Sequence, residues 1–326
     1  MKILITGHRE DETALFTREN SYGFAIAYTP DVLTTENVAL TQGYDAVGII
    51  AATVVNEELC AALKGNGVRY ILTRTAGVDH LNQPAIKKYG LRAASVPVYS
   101  PSSIAEHTVM LMLELLRKRT MQYRRIENYD FRLAGLRGME LRTKVVGVVG
   151  TGRIGAETIR MLGGFGCRIL ASDLYRNPEV ESLAVYTELD ELLKQSDIVV
   201  FHCPLTADNH HIINAESIKR LRPGAMLVNT ARGGLIDSEA VLAALQEGKL
   251  SGYAFDVYEF ENTYKRLEYH RKPFGNELLE RLIAHDRVIF TTHTAFYTDE
   301  AIGGIIGTTL FNLNELITTG QCANEL

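Results

Sequence analysis

Cysteine is scarce and dispersed. The four thiols, Cys60, Cys167, Cys203 and Cys322, form no Cys-X-X-Cys pair, which argues against a thiolate zinc site and against a disulfide framework. Reduced, mostly buried thiols and no bound metal are therefore expected. Positive charge is also in short supply: 34 lysines and arginines face 39 acidic residues, for a net charge of −5, and no basic tract runs beyond a few residues. Such a surface does not suit nucleic acid or another polyanion. No stretch of about 18 consecutive apolar residues occurs, so no membrane span is expected. The opening MKILITGH has neither the apolar core nor the cleavage site of a secretory leader, and a cytoplasmic location is the expectation. No fixed-period repeat or low-complexity segment is present.

What the chain does have is length and alternation. Its 326 residues, 46% hydrophobic and 22% charged, suffice for two globular domains. Apolar strands alternate with helical stretches throughout, the pattern of doubly wound α/β sheets. Strands are expected at 2–6, 25–28, 46–50, 70–74 and 92–95. The prolines of Val96-Pro97-Val98-Tyr99-Ser100-Pro101 then stop the strand and mark a hinge before an apolar helix over 104–117. Further strands are expected at 145–149, 198–202, 226–229, 253–257 and 288–292. A last helix, from about Thr298, returns to the first domain. The predicted fold is thus two doubly wound parallel-sheet domains, one of residues 102–298 inserted into another of residues 1–101 and 299–326.

The inserted domain opens on the most informative segment. An apolar run (Val145, Val146, Val148, Val149) leads into Gly150-Thr151-Gly152-Arg153-Ile154-Gly155, a helix opens at Arg153, and a second strand ends at Asp173, 18 residues beyond Gly155. Gly150 permits the tight turn, Gly152 lets a pyrophosphate approach the backbone, and Gly155 lets helix and strand pack closely. The helix N-terminus, with Arg153 and Ile154 in its first turn, offers free amides and a positive dipole end to that phosphate. Asp173 would accept from the adenosine ribose hydroxyls and repel a 2′-phosphate, which predicts NAD rather than NADP; the neighbouring Arg176 offsets this only slightly.

Ligands of open parallel sheets sit beyond the carboxyl ends of the strands. Arg232, Glu261 and His293 each follow a different predicted strand of the inserted domain. Together they suit hydride transfer to a 2-oxo acid. A guanidinium binds a carboxylate bidentately and polarises the adjacent carbonyl, the role expected of Arg232. An imidazolium supplies the carbonyl proton, the role expected of His293. A carboxylate on the other ring nitrogen fixes the tautomer and favours the protonated ring. Glu261 is the better placed for this, with Glu259 left open by spacing alone. Asp256 reads either as a helix cap or as a partner of the nicotinamide carboxamide. The remaining histidines (His8, His80, His107, His202, His210, His211, His270 and His285) are expected to be structural or solvated.

These segments resemble the D-isomer-specific 2-hydroxyacid dehydrogenases over essentially the whole chain. The similarity rests on residues 147–155, 228–234, 256–261 and 292–298, in that order. It implies a Rossmann nucleotide domain set into a split flavodoxin-like substrate domain, with Arg232, Glu261 and His293 as the catalytic set. It further implies that Pro204, Thr230, Arg232 and Asp256 line the cofactor site. The backbone of 75–78, at Ala76 and Gly77, would bind the substrate carboxylate beside Arg232 and His293, with Tyr99 and Phe296 shaping the pocket. Residues 293–298 and 129–133 are most similar to D-lactate dehydrogenases acting on pyruvate. The ending 319–324 is instead similar to enzymes of anaerobes that reduce bulkier 2-oxo acids, such as those yielding 2-hydroxyisocaproate, phenyllactate or 2-hydroxyglutarate. Transcriptional corepressors also resemble the family, so an NAD-sensing binding protein is the alternative of a different class. Ser102 stands where the family commonly has Asn. Arg9 reads as an exposed loop charge, with an approach to the cleft as the alternative. The resemblance implies a homodimer joined through the nucleotide domains, with Met110, Met112 and Leu113 of helix 104–116 either at that contact or in the intrachain core.

Overall fold

The computed structural model describes residues 1–261 and 272–326; His270 lies outside the described residues. In chain order the first elements are β1 (Lys2–Ile5), α1 (Thr13–Glu19), β2 (Ala25–Tyr28), β3 (Ala46–Ile49), α2 (Glu57–Gly65), β4 (Tyr70–Thr73), α3 (Gln83–Lys88) and β5 (Arg92–Ala94). There follow α4 (Pro101–Leu116), α5 (Arg119–Glu127), β6 (Val145–Val149), α6 (Arg153–Gly163), β7 (Arg168–Ser172), α7 (Pro178–Glu181), β8 (Val185–Tyr186) and α8 (Leu189–Gln195). The chain continues through β9 (Ile198–Phe201), α9 (Ala215–Arg220), β10 (Ala225–Asn229), α10 (Ser238–Gln246), β11 (Leu250–Phe255), α11 (Glu277–Ala284), β12 (Val288–Phe290) and α12 (Asp299–Thr318). It divides into two compact units, Met1–Ser100 with Tyr297–Leu326, and Pro101–Phe296. No described helix is long and apolar enough to cross a membrane.

The first unit carries a parallel sheet in the order β2-β1-β3-β4-β5. One face packs under α2 and α3, where Val47, Ile49, Leu59, Leu63 and Ile71 are buried together. Asn56 and Asn82 start those two helices by accepting the amides of Leu59 and Ala85. Helix α12, capped by Thr298, buries Ile305, Ile306, Leu310 and Leu313 within the same unit. The chain end lies along β5: Glu325 bridges Ala94 and pairs with Arg92, and buried Asn312 joins the Ser95 carbonyl to Asn324.

The second unit carries seven parallel strands in the order β12-β11-β10-β9-β6-β7-β8. The strand order reverses between β6 and β9, so the crevice above their carboxyl ends is the topological switch point where such sheets take ligands. Both sheet faces are covered, and β6, β9 and β10 are accordingly near-continuous apolar runs. The two parallel doubly wound sheets are the fold class read from the alternation. Helix α4 turns Leu111, Met112, Leu115 and Leu116 into the core of its own unit. Met112 is fully buried and is therefore removed from the surface contact considered for it, whereas Met110 is 39% exposed.

Candidate active site

The glycine turn is built as its spacing requires. Gly150 has φ +95°, and a Cβ there would lie 2.6 Å from the Cys203 amide nitrogen, so only glycine permits both the turn and the approach of the β9 end. A Cβ on Gly155 would come 2.0 Å from the Gly150 carbonyl oxygen, which sets the closeness of α6 to β6. At Gly152 the space is open for 4 Å, leaving room for a ligand group. Exposed Arg153 and half-buried Ile154 begin the 11-residue helix α6, whose first amides have no intrahelical acceptors. An opening of this size, lined by amides and followed by an acid, fits a dinucleotide pyrophosphate.

Asp173 stands one residue past β7. Its Oδ2 accepts the amide and hydroxyl of Thr151, and its Oδ1 accepts the Tyr175 amide at 3.0 Å. Thr151 is further held by the Tyr186 hydroxyl at 2.8 Å and by Asn177 Nδ2 at 2.9 Å. Arg176 is stacked over Tyr186, 5.4 Å from the ring centroid. Below the turn His202 is bonded to Thr158 Oγ1 at 2.9 Å, and burial pushes its pKa down to about 4. It is a neutral structural ring. Pro204 follows in an exposed loop closed by Asn209 Nδ2 on its carbonyl at 2.8 Å, and Thr230 pairs hydroxyls with Thr108 at 2.8 Å.

Three strand ends carry the reactive candidates. After β10, buried Asn229 closes the turn by accepting the Ala231 amide at 3.0 Å and donating to the Arg232 carbonyl at 2.8 Å. Arg232 is exposed, with Nη1 on the Ala231 carbonyl. After β12, His293 takes a left-handed backbone, φ +57°, unusual for a residue with a Cβ. Its Nδ1 lies 2.7 Å from Glu261 Oε1 in the segment after β11. Of the two acids that spacing left open, Glu261 meets His293, while Glu259 meets His210 and His211. The Phe296 ring stands edge-on to His293, centroids 6.1 Å apart.

Asp256 caps no described helix. Its buried carboxylate accepts the amides of Thr294 and Ala295, each at 2.9 Å, and the Thr291 hydroxyl, so it anchors the loop that presents His293. His107 of α4 reaches the same hydroxyl at 3.0 Å. Burial lowers the His107 pKa against the opposing pull of Asp256. Thr291 and His107 lie outside every motif read from the sequence; the tertiary structure brings them together here.

In the first unit Ala76 is exposed, with Gly77 half-buried beside it, after β4. The Thr75 hydroxyl donates to the Gly77 carbonyl at 2.7 Å, and Thr73 links it to His80 Nε2 at 2.9 Å. Arg74 is buried against Glu12 at 2.7 Å, and Nη2 donates to the carbonyls of Thr6 and Gly7. Arg9, expected as an exposed loop charge, is a half-buried loop residue: it pairs with Glu12 and lies 4.7 Å from the Tyr297 ring centroid. The Tyr297 hydroxyl donates to Asp11, and burial pushes its pKa up to about 12. Tyr99 and Ser102 are half-buried on either side of the boundary between the units.

Residues 109–295 match the model for the NAD binding domain of the D-isomer specific 2-hydroxyacid dehydrogenases. An aromatic 2-oxoacid reductase of Clostridium sporogenes is 39% identical over 327 residues, 100% of this chain and 99% of that protein. The apo-structure of D-lactate dehydrogenase from Escherichia coli superposes with a TM-score of 0.91 at 35% identity, covering 100% of both chains. The NAD-complexed D-isomer specific 2-hydroxyacid dehydrogenase from Lactobacillus delbrueckii ssp. bulgaricus gives 0.86 at 30%, again over 100% of both.

Proposed function

The chain belongs to the D-isomer specific 2-hydroxyacid dehydrogenases and is an NAD-dependent oxidoreductase acting on CH–OH donors; within that family we propose that it interconverts pyruvate and D-lactate. The observation that carries the chemistry is the 2.7 Å Glu261–His293 pair, in the same unit as the glycine turn and Arg232. Arg232 clamps the substrate carboxylate and draws electron density from the carbonyl. NAD in its reduced form, held by the 150–155 turn and Asp173, would supply the hydride for C2. His293, its Nδ1 turned to Glu261, presents Nε2 to the carbonyl oxygen and gives up its proton there. Glu261 holds the ring orientation and balances the imidazolium before transfer. In the first unit the substrate contacts proposed are the backbone amides of Ala76 and Gly77, with Tyr99; in the second, Phe296 joins Arg232 and His293.

The cofactor contacts proposed are the 150–155 turn with Arg153 and Ile154, Asp173 at the ribose, and Pro204, Thr230, Arg232 and Asp256 around the rest. Pyruvate as substrate is favoured by the 35% identity over the whole chain to the D-lactate dehydrogenase from Escherichia coli. A second reading, an aromatic 2-oxo acid as substrate, is favoured by the 39% identity to the Clostridium sporogenes reductase. Comparing kcat/KM for pyruvate, 2-oxoisocaproate, phenylpyruvate and 2-oxoglutarate by NADH consumption decides between them. Highest efficiency with pyruvate supports the first reading, and preference for phenylpyruvate replaces it with the second. We further propose a homodimer, with exposed Met110 and Phe165 and half-buried Leu113 and Met161 along a groove of about 620 Å³ as its contact. The mass in solution tests it.

A further inference from the structure

His210 and His211 lie in the loop between β9 and α9, and the dehydrogenase chemistry uses neither. His211 has φ +51°, a strained setting for a residue with a Cβ. Its amide is pinned to the Gly234 carbonyl at 2.8 Å, and its own carbonyl accepts from Asn214 Nδ2 at 2.9 Å. The result is that two successive imidazoles stack, centroids 3.9 Å apart and planes 23° from parallel. Both Nε2 atoms converge on one carboxylate: His210 is 2.7 Å from Glu259 Oε1 and His211 is 2.9 Å from Glu259 Oε2. The Glu259 backbone passes close against Gly233, where a Cβ would sit 2.1 Å from its amide nitrogen.

From this we infer that His210, His211 and Glu259 form a site for one divalent transition-metal ion of the zinc class. All three offer a ligand atom, and those atoms lie within 4.8 Å of one another. Zinc sits about 2.0–2.1 Å from imidazole nitrogen and about 2.0–2.2 Å from carboxylate oxygen, which in a tetrahedron puts ligand atoms roughly 3.4 Å apart. The present hydrogen-bonded separations, 2.7 and 2.9 Å, need to open by roughly 0.5–0.7 Å. Each ring then carries its proton on Nδ1, and Nε2–metal–Oε links replace the two hydrogen bonds. Side-chain exposures of 47% for His210 and 34% for His211 leave the fourth position to water. Two nitrogen donors disfavour magnesium and calcium, and the absence of sulfur disfavours copper(I). The dispersed cysteines, which excluded a thiolate zinc site, take no part. An ion here ties the 202–214 loop to the segment that continues to Glu261.

The test uses the full chain after chelator treatment, titrated with Co²⁺ alone and then displaced by Zn²⁺. One Co²⁺ per chain is expected, with visible d–d bands and no near-ultraviolet thiolate band. His210→Ala and Glu259→Gln should each weaken binding by at least about a hundredfold, beyond the tenfold to hundredfold typical of groups that only support ligands. His211→Asn, which tolerates the left-handed backbone, should do the same with the fold preserved, read from unchanged circular dichroism. Unchanged affinity in these variants, loss in His293→Ala instead, a thiolate band, or no binding at millimolar Co²⁺ would each overturn the assignment.

Discussion

Glu12→Gln tests how the loop at 75–78 is supported. Glu12 is 1% exposed, and its carboxylate faces Arg74, itself 3% exposed, together with Arg9. Burial alone would raise the Glu12 pKa, but the two guanidiniums outweigh it and hold the carboxyl below the usual range. Replacing the acid by its amide keeps a hydrogen-bond acceptor while leaving Arg74 buried without its counter-ion, a change that costs about 3–5 kcal/mol. Unfolding entropy is about 2.1 cal/mol/K per residue. If the unit of roughly 130 residues melts alone, Tm falls by about 11–18 °C; if the whole chain melts together, it falls by about 4–7 °C. Calorimetry reads both cases. The paired replacement Glu12→Leu with Arg74→Met removes both charges and should recover most of the loss. A Glu12→Gln protein within about 1 kcal/mol of wild type, or strictly additive single and double variants, would refute the reasoning.

The same pair sets a pH dependence. Because the folded Glu12 pKa is lowered, its stabilisation is complete above the unfolded carboxyl value and is lost as pH falls through the folded one. Wild type and Glu12→Gln should therefore converge in stability on acidification below that point and diverge again toward neutrality. Arg74 directly precedes the loop proposed to hold the substrate carboxylate. At temperatures well below Tm, KM for pyruvate should accordingly rise in Glu12→Gln while NADH affinity stays unchanged.

Three further outcomes follow from the second unit. His293→Ala should lower kcat by about a hundredfold or more with little change in NADH binding, and unchanged turnover would remove His293 from proton transfer. Gly155→Ala sets a methyl 2.0 Å from the Gly150 carbonyl oxygen, so it should cost about 1–3 kcal/mol of stability and weaken NADH binding about tenfold or more by fluorescence titration. Asp256→Ala leaves the Thr294 and Ala295 amides without their carboxylate acceptor, at about 1–3 kcal/mol each. It should lower kcat through the displaced His293 loop, and wild-type kcat in a folded Asp256→Ala protein would show the loop to be held by other contacts.

The parts of this protein that were legible in its sequence are those whose geometry is set by contiguous backbone. The run Val145–Val149 announces a strand buried on both faces, and the turn from Gly150 to Gly155 contains its own steric logic within six residues. The carboxyl ends of the expected strands lie within two residues of the observed ones because β-branched runs stop where glycine, proline or a polar residue begins, whereas β11 starts three residues before its expected position. By contrast β8 is only two residues, Val185–Tyr186, too short to show a period. Met112 and Met110 are neighbours on one apolar helix, yet one is buried and the other exposed, which depends on the sheet packed beneath them.

Pairing of side chains across the site is a different matter. The rule that ligands gather beyond strand ends located Arg232, Glu261 and His293 without saying which acid would meet the imidazole. Glu259 and Glu261 leave the same strand two residues apart. What separates them is supplied from elsewhere: the His210–His211 stack takes Glu259, and the left-handed turn anchored by Asp256 brings His293 to Glu261. Arg9 is half-buried rather than exposed for the same reason, since Tyr297, the ring it lies against, comes from the far end of the chain. A strand-end pattern therefore nominates the candidates, and only the contacts between distant segments decide which of them pair.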